Sequence, residues 1–177
     1  MTVGMFVSDK KNPNSKFPIE TIIEQLAERL VEKNLTLAVA ESCTGGMLAQ
    51  QCTSLNGSSK WFECGFVTYS NASKIRLLGV QANVLDEVGA VSSQVAEQMA
   101  TGVLAHSEAN ISASITGIAG PGGGGESKPV GTVYIATAVK NQPACSIYHL
   151  FQGDRQSIRE QTTQMALVAL LERVGDL

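Results

Sequence analysis

The side chain best placed for chemistry is that of Ser42, which lies in the segment AESCTGG at residues 40–46. The apolar residues 35–39 before it predict a strand, and residues 47–51 after it predict the first turns of a helix. At such a turn, backbone N–H groups lack partners and the helix end carries partial positive charge. An acyl-transfer enzyme needs its nucleophile beside donors of this kind, because they stabilise the oxyanion. A phosphate-binding turn without chemistry has the same pattern, so the segment alone leaves both functions open.

The best candidates to activate Ser42 are Tyr69 and Lys74, which follow a predicted strand at residues 62–69. If the strands before Ser42 and Tyr69 are parallel, both turns open at the same edge of one sheet. A lysine acts as a general base only when it is neutral, so its pKa would have to fall about three units below ~10.4, which costs roughly 4 kcal/mol. Either Lys74 accepts the proton directly, or it stays charged and Tyr69 relays the proton. A surface lysine beside a half-buried tyrosine has the same spacing.

Other residues of nucleophilic or basic type fit a catalytic role less well. His106 falls late in a predicted helix and His149 inside a predicted strand, so neither is expected to complete a serine-histidine-aspartate triad. Cys43 is a rival nucleophile by type, but a cysteine is reactive only where its pKa is lowered, and a small buried thiol is the more common state. The predicted nucleophile is therefore Ser42.

A glycine-rich loop at residues 118–125 follows a predicted strand at residues 110–115. The sequence from Gly120 to Gly125 matches G-x-G-x-x-G, but a strand rather than a helix follows it, so a dinucleotide-binding turn is rejected. No G-K-[ST] pattern for a phosphate-binding P-loop occurs. Because ordering so many glycines is entropically costly, contact with a ligand is favoured over a simple surface crossover.

Two arginines begin the last predicted helix, which runs from about Asp154 to Val174. Arg155 and Arg159 are four residues apart and so share one helix face. Two guanidinium groups near a helix start suit a phosphate clamp. A solvated face paired with neighbouring carboxylates fits this spacing equally well.

The composition is that of a globular domain and excludes several functional classes. The 177 residues are 44% hydrophobic and 16% charged, with a net charge of −3, so a basic nucleic-acid footprint is not expected. Neither a signal peptide nor a membrane span is predicted. The four cysteines have no C-x-x-C spacing, so we expect no metal site, no disulfide framework and a cytoplasmic location. A polar lead-in at residues 1–17 precedes the predicted domain at residues 18–177.

The elements that must position these residues alternate between helix and strand. A helix follows Pro18, a second runs from Ser92 or Ser93 to about Leu104, and two successive strands are predicted at residues 131–139 and 146–151. This order predicts a single α/β domain with three layers, α/β/α. Its sheet is expected to be mixed and mostly parallel, with one antiparallel hairpin.

Four motifs, in this order, resemble those of the CinA C-terminal domain family: AESCTGG at 40–46, YSNASK at 69–74, TGIAGPGG at 116–123 and KPVGTV at 128–133. Residues 153–159 resemble the family's last motif, and the likeness runs from about Ile19 to Val174. The resemblance implies a three-layer fold with a serine-tyrosine-lysine site. It also implies a nicotinamide-nucleotide amidohydrolase, which converts nicotinamide mononucleotide and water to nicotinate mononucleotide and ammonia.

Carried over by position, the resemblance implies Ser42 as nucleophile, with Tyr69 and Lys74 as its activating partners. Substrate contacts are expected from Glu41, Thr44, Gly45, Gly46, Asn71, Thr116, Gly117, Gly120, Gly122, Gly123, Arg155 and Arg159. The oxyanion would be held by N–H groups of the serine turn or of the glycine-rich loop. No cofactor or metal is expected, and the expected partners are a nucleotide substrate and a second copy of the chain.

The molybdopterin-cofactor-like domain that precedes this one in longer CinA proteins is not expected here. Two alternatives stay open: a non-catalytic nucleotide-binding module that regulates competence or DNA repair, and a hydrolase acting on a different small amide.

Overall fold

The computed structural model describes residues 17–177, so the predicted lead-in lies outside the described residues except for Phe17. The helices are α1 (Ile19–Glu32), α2 (Met47–Thr53), α3 (Asn71–Leu78), α4 (Ala82–Val88), α5 (Ser93–Ala105) and α6 (Arg155–Gly175), with a 3₁₀ turn at Ser58–Lys60. The strands are β1 (Leu37–Glu41), β2 (Phe62–Val67), β3 (Ile111–Gly117), β4 (Thr132–Val139) and β5 (Cys145–Leu150). None of the helices in residues 17–177 is long and apolar enough to cross a membrane.

The five strands form one sheet in the order β2-β1-β3-β4-β5. β1 pairs in parallel with β2 and β3, whereas β4 pairs antiparallel with β3 and β5. The predicted mixed sheet with an antiparallel hairpin is therefore confirmed. The expectation of a mostly parallel sheet needs correction, because the four pairings divide evenly. β4 alone runs against the other four strands, and its place between β3 and β5 makes both of its pairings antiparallel.

Helices cover both faces of the sheet, as the predicted three layers require. One face packs against α1, α2 and α6, and the other against α3, α4 and α5. β1 is buried on both faces, with Leu37 and Val39 in the first core and Ala38 and Ala40 in the second. This central position explains why residues 37–40 of β1 are all apolar rather than alternating with polar residues.

Side-chain caps begin two of the predicted helices. The Ser92 hydroxyl accepts the N–H of Val95 at the start of α5, and the Asp154 carboxylate accepts the N–H of Ser157 at the start of α6. The seven-residue helix α4 was not predicted. Its N-cap residue, Gln81, makes no side-chain capping bond, so the usual sequence signal for a helix start is missing.

The topology gathers the connections that carry the predicted site at one edge of the sheet. β1, β2 and β3 are parallel, and β5 runs in the same direction because it is antiparallel to β4. All four strands therefore end at the same edge. The serine turn, the start of α3, the glycine-rich loop and the start of α6 all leave the sheet there.

Candidate active site

Ser42 lies in a tight turn between β1 and α2, as predicted. Its N–H donates to the carbonyl of Ile115 on β3 over 3.1 Å, and its own carbonyl accepts the N–H of Gly45 over 3.1 Å. Gly45 and Gly46 have φ angles of +61° and +99°, which glycine adopts without strain. These left-handed residues turn the chain sharply from the strand into the helix and leave Ser42 at the strand end.

Lys74 reaches Ser42 from the first turns of α3. A reciprocal capping box between Ser70 and Ser73 begins this helix, with both N–H···O distances at 3.1 Å. The Lys74 side chain is only 1% exposed. Its Nζ lies 3.0 Å from Ser42 Oγ and 2.6 Å from the carbonyl oxygen of Thr68. The predicted meeting of serine and lysine is a direct contact.

Burial lowers the pKa of Lys74 from 10.5 to about 8, although the nearby Cys43 acts in the opposite direction. The polar partners of Nζ are two oxygens, Ser42 Oγ and the Thr68 carbonyl oxygen. When the amine is neutral, it can accept the Ser42 hydroxyl proton while donating to Thr68. The geometry therefore allows direct proton transfer from serine to lysine.

Tyr69 occupies the mouth of the pocket rather than the space between Ser42 and Lys74. Its side chain is 62% exposed, and its hydroxyl oxygen accepts a hydrogen bond from Arg155 Nη2 over 3.2 Å. Among the hydrogen bonds of residues 17–177, none joins Tyr69 to Ser42 or Lys74. The geometry therefore does not favour a proton relay through this phenol, and a contact with substrate suits its position better.

The two arginine side chains at the start of α6 donate to different loops. Arg155 lines the pocket, and its Nη1 donates to the Gly120 carbonyl over 2.8 Å. Arg159 instead turns into the serine loop, where Nη2 donates to the Thr44 carbonyl over 2.7 Å. Although Arg155 and Arg159 share one helix face, their guanidinium groups do not meet at one site, because each donates to a different backbone carbonyl. Arg159 supports the loop, and Arg155 is the arginine open to a ligand.

Glu41, which was expected to contact substrate, does not line the pocket. Its carboxylate is 1% exposed and turned toward the start of α2. It accepts the N–H groups of Gly46 and Leu48 over 3.0 and 3.1 Å, and that of Ala49 over 2.8 Å. These bonds occupy donors that a phosphate-binding turn would have used, so the non-catalytic interpretation of this segment loses its physical basis.

The donors left for an oxyanion are few. Within the serine turn, the N–H groups of Ser42, Gly45 and Gly46 already have acceptors. For the N–H groups of Cys43 and Thr44, no other residue in the described part of the chain supplies an acceptor. Only Cys43 of these two lines the pocket. Within the turn, the Cys43 N–H is therefore the candidate donor to an oxyanion, with the thiol of Cys43 itself as its other neighbour.

The pocket beside Ser42 has a volume of about 250 Å³. Nine predicted site residues line it: Ser42, Tyr69, Lys74, Thr116, Gly117, Gly120, Gly122, Gly123 and Arg155. Six predicted site residues do not: Glu41, Thr44, Gly45, Gly46, Asn71 and Arg159.

Asn71 and Thr116 illustrate why some predicted site residues line the pocket and others do not. Asn71 is the first residue of α3 and faces solvent. Thr116 lines the pocket, and its hydroxyl donates to the Ala90 carbonyl over 2.8 Å, which ties β3 to the opposite wall.

The sequence did not predict Ala90 and Val91, which form the apolar part of the pocket wall together with Ile118 and Ala119 of the predicted glycine-rich loop. Ala90 and Val91 come from the connection between α4 and α5. Small apolar residues in a connection form no motif, so the sequence contains no signal that could have identified them.

The rival groups are poorly suited to catalysis. Burial, with a smaller effect from Glu41, raises the pKa of the Cys43 thiol to about 11, so it stays protonated. The His149 ring stacks on Phe151 with 5.1 Å between centroids, and His106 bonds the Gly102 carbonyl. Residues 17–177 contain no cluster of three or more histidine, cysteine, aspartate or glutamate side chains that could hold a metal ion.

The fold and site together define a class: three-layer α/β/α proteins with a serine–lysine pair at the carboxyl edge of the sheet. Comparison with known sequences specifies this further. The chain belongs to the CinA C-terminal domain family, which it matches over residues 19–174.

The chain is similar both to proteins named as nicotinamide-nucleotide amidohydrolases and to proteins named as competence-damage inducible. The nicotinamide-nucleotide amidohydrolase PncC of Escherichia coli K12 is 45% identical over 150 residues, which cover 85% of this chain and 91% of that protein. The PncC of Pseudomonas putida is 46% identical over 155 residues, covering 88% and 96%. A putative competence-damage inducible protein of Caldicellulosiruptor bescii is 50% identical over 147 residues, covering 83% of this chain. The chain spans only 36% of that longer relative.

Solved structures give the same family. The competence/damage inducible protein CihA from Agrobacterium tumefaciens is 42% identical with a TM-score of 0.85, covering 88% of this chain and 96% of that one. A CinA superfamily protein from Klebsiella pneumoniae is 32% identical with a TM-score of 0.87, covering 91% and 100%.

Proposed function

We propose that this protein hydrolyses the carboxamide of nicotinamide mononucleotide, releasing nicotinate mononucleotide and ammonia. The observation that carries the proposal is the 3.0 Å contact between Ser42 Oγ and the buried Lys74 Nζ at the base of a pocket. The PncC relatives, whose name describes this reaction class, match the chain over most of their own length.

In the proposed reaction, Ser42 Oγ attacks the carboxamide carbon while its proton passes to the neutral Lys74 Nζ. The resulting ammonium group of Lys74 then protonates the leaving nitrogen, and ammonia departs from the acyl-serine. A water molecule attacks the acyl carbon with Lys74 again as the base, which releases the carboxylic acid and restores the Ser42 hydroxyl. The positively charged pyridinium ring of the substrate makes the carbonyl carbon more electrophilic and so assists the first step.

The oxyanion of the tetrahedral intermediate is assigned to the N–H of Cys43, the residue directly after the nucleophile. Cys43 lines the pocket, and no other residue within residues 17–177 supplies an acceptor for this N–H. Further donors can come from the glycine-rich loop, where Gly122 and Gly123 line the same pocket without side chains that would block a close approach. Donors already in place stabilise developing charge without reorganisation.

The remaining pocket residues suit the two ends of the substrate. The small apolar wall of Ala90, Val91, Ile118 and Ala119 suits the flat pyridine ring. Arg155, at the mouth, suits the 5′-phosphate. A purely nucleotide-binding module would gain nothing from a buried lysine, because burying its charge opposes folding. The catalytic proposal therefore accounts for Lys74, and the binding-module alternative does not.

The test is ammonia release from nicotinamide mononucleotide by the purified protein and by Ser42→Ala. Loss of the nucleophile is expected to lower turnover by several orders of magnitude and to leave substrate binding largely intact. Ser59→Ala, which changes an exposed serine on the 3₁₀ turn, is the matched control and should keep full activity. A Ser42→Ala protein with a tenth of the wild-type turnover would rule out the covalent mechanism.

A further inference from the structure

The buried carboxylate of Glu41 is the feature of the site that the proposed reaction leaves unexplained. Glu41 is the last residue of β1 and directly precedes the nucleophile. Its side chain is 1% exposed and contacts backbone rather than the pocket. Oε2 accepts the N–H groups of Gly46 and Leu48, and Oε1 accepts that of Ala49.

These bonds join the two ends of the serine turn. The main chain of Glu41 is held in the sheet, where its carbonyl accepts the N–H of Thr68 over 2.8 Å. Its side chain holds the start of α2. The turn between these anchors contains Gly45 and Gly46, both left-handed and free of side chains. Without the carboxylate, two such glycines would give the chain many alternative paths.

The same turn sets the position of the Ser42 hydroxyl. Ser42 lies between the residue that is held by the sheet and the segment that is held by the carboxylate. Its Oγ must remain near the 3.0 Å separation from Lys74 Nζ for proton transfer. Lys74 is itself fixed by the Thr68 carbonyl at 2.6 Å, so a shift of the turn cannot be followed by the lysine without loss of that bond.

We propose that Glu41 is a positioning residue for the nucleophile, whose carboxylate holds the serine turn in the conformation that keeps Ser42 against Lys74. The inference rests on the proposed function, since it gives Ser42 and Lys74 their catalytic roles. Glutamine in this position would offer one acceptor oxygen and would direct an NH₂ donor toward backbone N–H donors. The turn would then have to rearrange even though the side-chain shape is preserved.

The first experiment compares steady-state kinetics of the wild type, Glu41→Gln and Glu63→Gln. Glu63 is the matched control, because its carboxylate also accepts a backbone N–H, that of Glu108 over 2.9 Å, but is exposed at the opposite end of β2. Misplacement of a reacting group by about 1 Å costs roughly a hundredfold in rate. Glu41→Gln is therefore expected to lose about that factor in kcat with KM changed less than threefold, and Glu63→Gln to match the wild type.

A second measurement separates positioning from general loss of structure. A small fluorophosphonate reacts with an activated serine without needing substrate, and Ser42→Ala gives the background rate. We expect the wild type to be labelled at Ser42, and the labelling of Glu41→Gln to slow by about the same factor as kcat while its circular dichroism is unchanged. A merely structural role would lower the fraction of labelled protein but would not slow the labelling of the folded fraction.

The outcomes are distinguishable. If Glu41→Gln labels and turns over within threefold of the wild type, the inference is overturned. If the wild type is labelled at Ser42 but releases no ammonia from nicotinamide mononucleotide, the proposed function fails, and the labelling ratio still tests the role of Glu41. Should Glu41→Gln not fold, Glu41→Asp takes its place. This variant keeps the charge on a shorter side chain, and a loss of less than threefold in its labelling rate overturns the inference.

Discussion

Arg155 and Tyr69 meet across the mouth of the pocket, where Nη2 of the arginine lies 3.2 Å from the phenolic oxygen. The same guanidinium group donates from Nη1 to the Gly120 carbonyl over 2.8 Å. One cation thus joins α6, the turn after β2 and the glycine-rich loop. Its present acceptors are both neutral. A phosphate would replace them with charged oxygens, to which hydrogen bonds are shorter and stronger.

Arg155→Ala should lower kcat/KM for nicotinamide mononucleotide by about 10- to 150-fold, because a hydrogen bond to a charged group contributes ~1.5–3 kcal/mol. With nicotinamide riboside, which lacks the phosphate, the same substitution should have little effect. The measurement is a double cycle of two proteins and two substrates. Arg76→Ala, which changes an exposed arginine on α3, serves as the control. A coupling energy near zero would show that Arg155 does not bind the phosphate.

Lys74→Arg should be nearly as damaging as Lys74→Ala, because arginine keeps the positive charge but does not lose its proton. Both are expected to lower kcat by about 10²- to 10⁴-fold, the usual contribution of a general base. Lys60→Arg, at an exposed position, is the control. If Lys74→Arg retains most of the activity, the lysine acts only through its charge and is not the base.

Activity should rise with pH, because Lys74 must be neutral and its pKa is about 8. The plot of kcat/KM against pH is expected to climb through this value and then level off. Tyr69→Phe should show the same rise of kcat/KM with pH, even if its rate is lower, because the titrating group is the lysine. If kcat/KM of Tyr69→Phe no longer rises with pH near 8, the phenol takes part in proton transfer, and the relay through Tyr69 is supported instead of direct transfer to Lys74.

The buried lysine should also make stability depend on pH. Its pKa falls from 10.5 in the unfolded chain to about 8 in the folded protein, so between these values the unfolded state binds more protons and the free energy of unfolding rises with pH. Between pH 7.5 and pH 10, the rise in the free energy of unfolding attributable to Lys74 is about 2 kcal/mol. Urea unfolding of wild type and Lys74→Met at pH 7.5 and 10 measures it as a difference. If the free energy of unfolding changes by the same amount between the two pH values in both proteins, the lysine pKa is not lowered by folding.

Cys43→Ala should retain activity within about threefold and leave the folded protein unchanged. The thiol has a pKa of about 11, so only about one molecule in a thousand carries a thiolate at pH 8. Its backbone N–H, rather than its sulfur, is the group assigned to catalysis, and alanine keeps that N–H. The assay is ammonia release, with iodoacetamide labelling of the wild type as a second measurement. If iodoacetamide alkylates Cys43 rapidly and abolishes activity, and if Cys43→Ala is also inactive, the nucleophile is Cys43 rather than Ser42.

Local sequence patterns predicted most of the elements and the strand-to-helix turn that carries Ser42. The strands and long helices were predicted within a few residues, because apolar periodicity and the caps at Ser92 and Asp154 are short-range signals. Helix α4 was missed for lack of such a signal. The position of Tyr69 and Lys74 after a second strand likewise followed from the order of elements along the chain.

Tertiary structure decided which side chains meet. That Lys74 touches Ser42 depends on β1 and β2 being parallel neighbours, and that Arg155 and Arg159 diverge depends on where two backbone carbonyls lie. Glu41 was predicted to face the substrate, yet the path of the chain after Gly45 and Gly46 turned it to the start of α2. Which distant residues come together depends on the order of the strands in the sheet and on how buried polar atoms find partners. Periodicity along the chain contains no information on either. The sequence alone therefore determined that Ser42 lies at a strand-to-helix turn, and the tertiary structure determined which residues surround it.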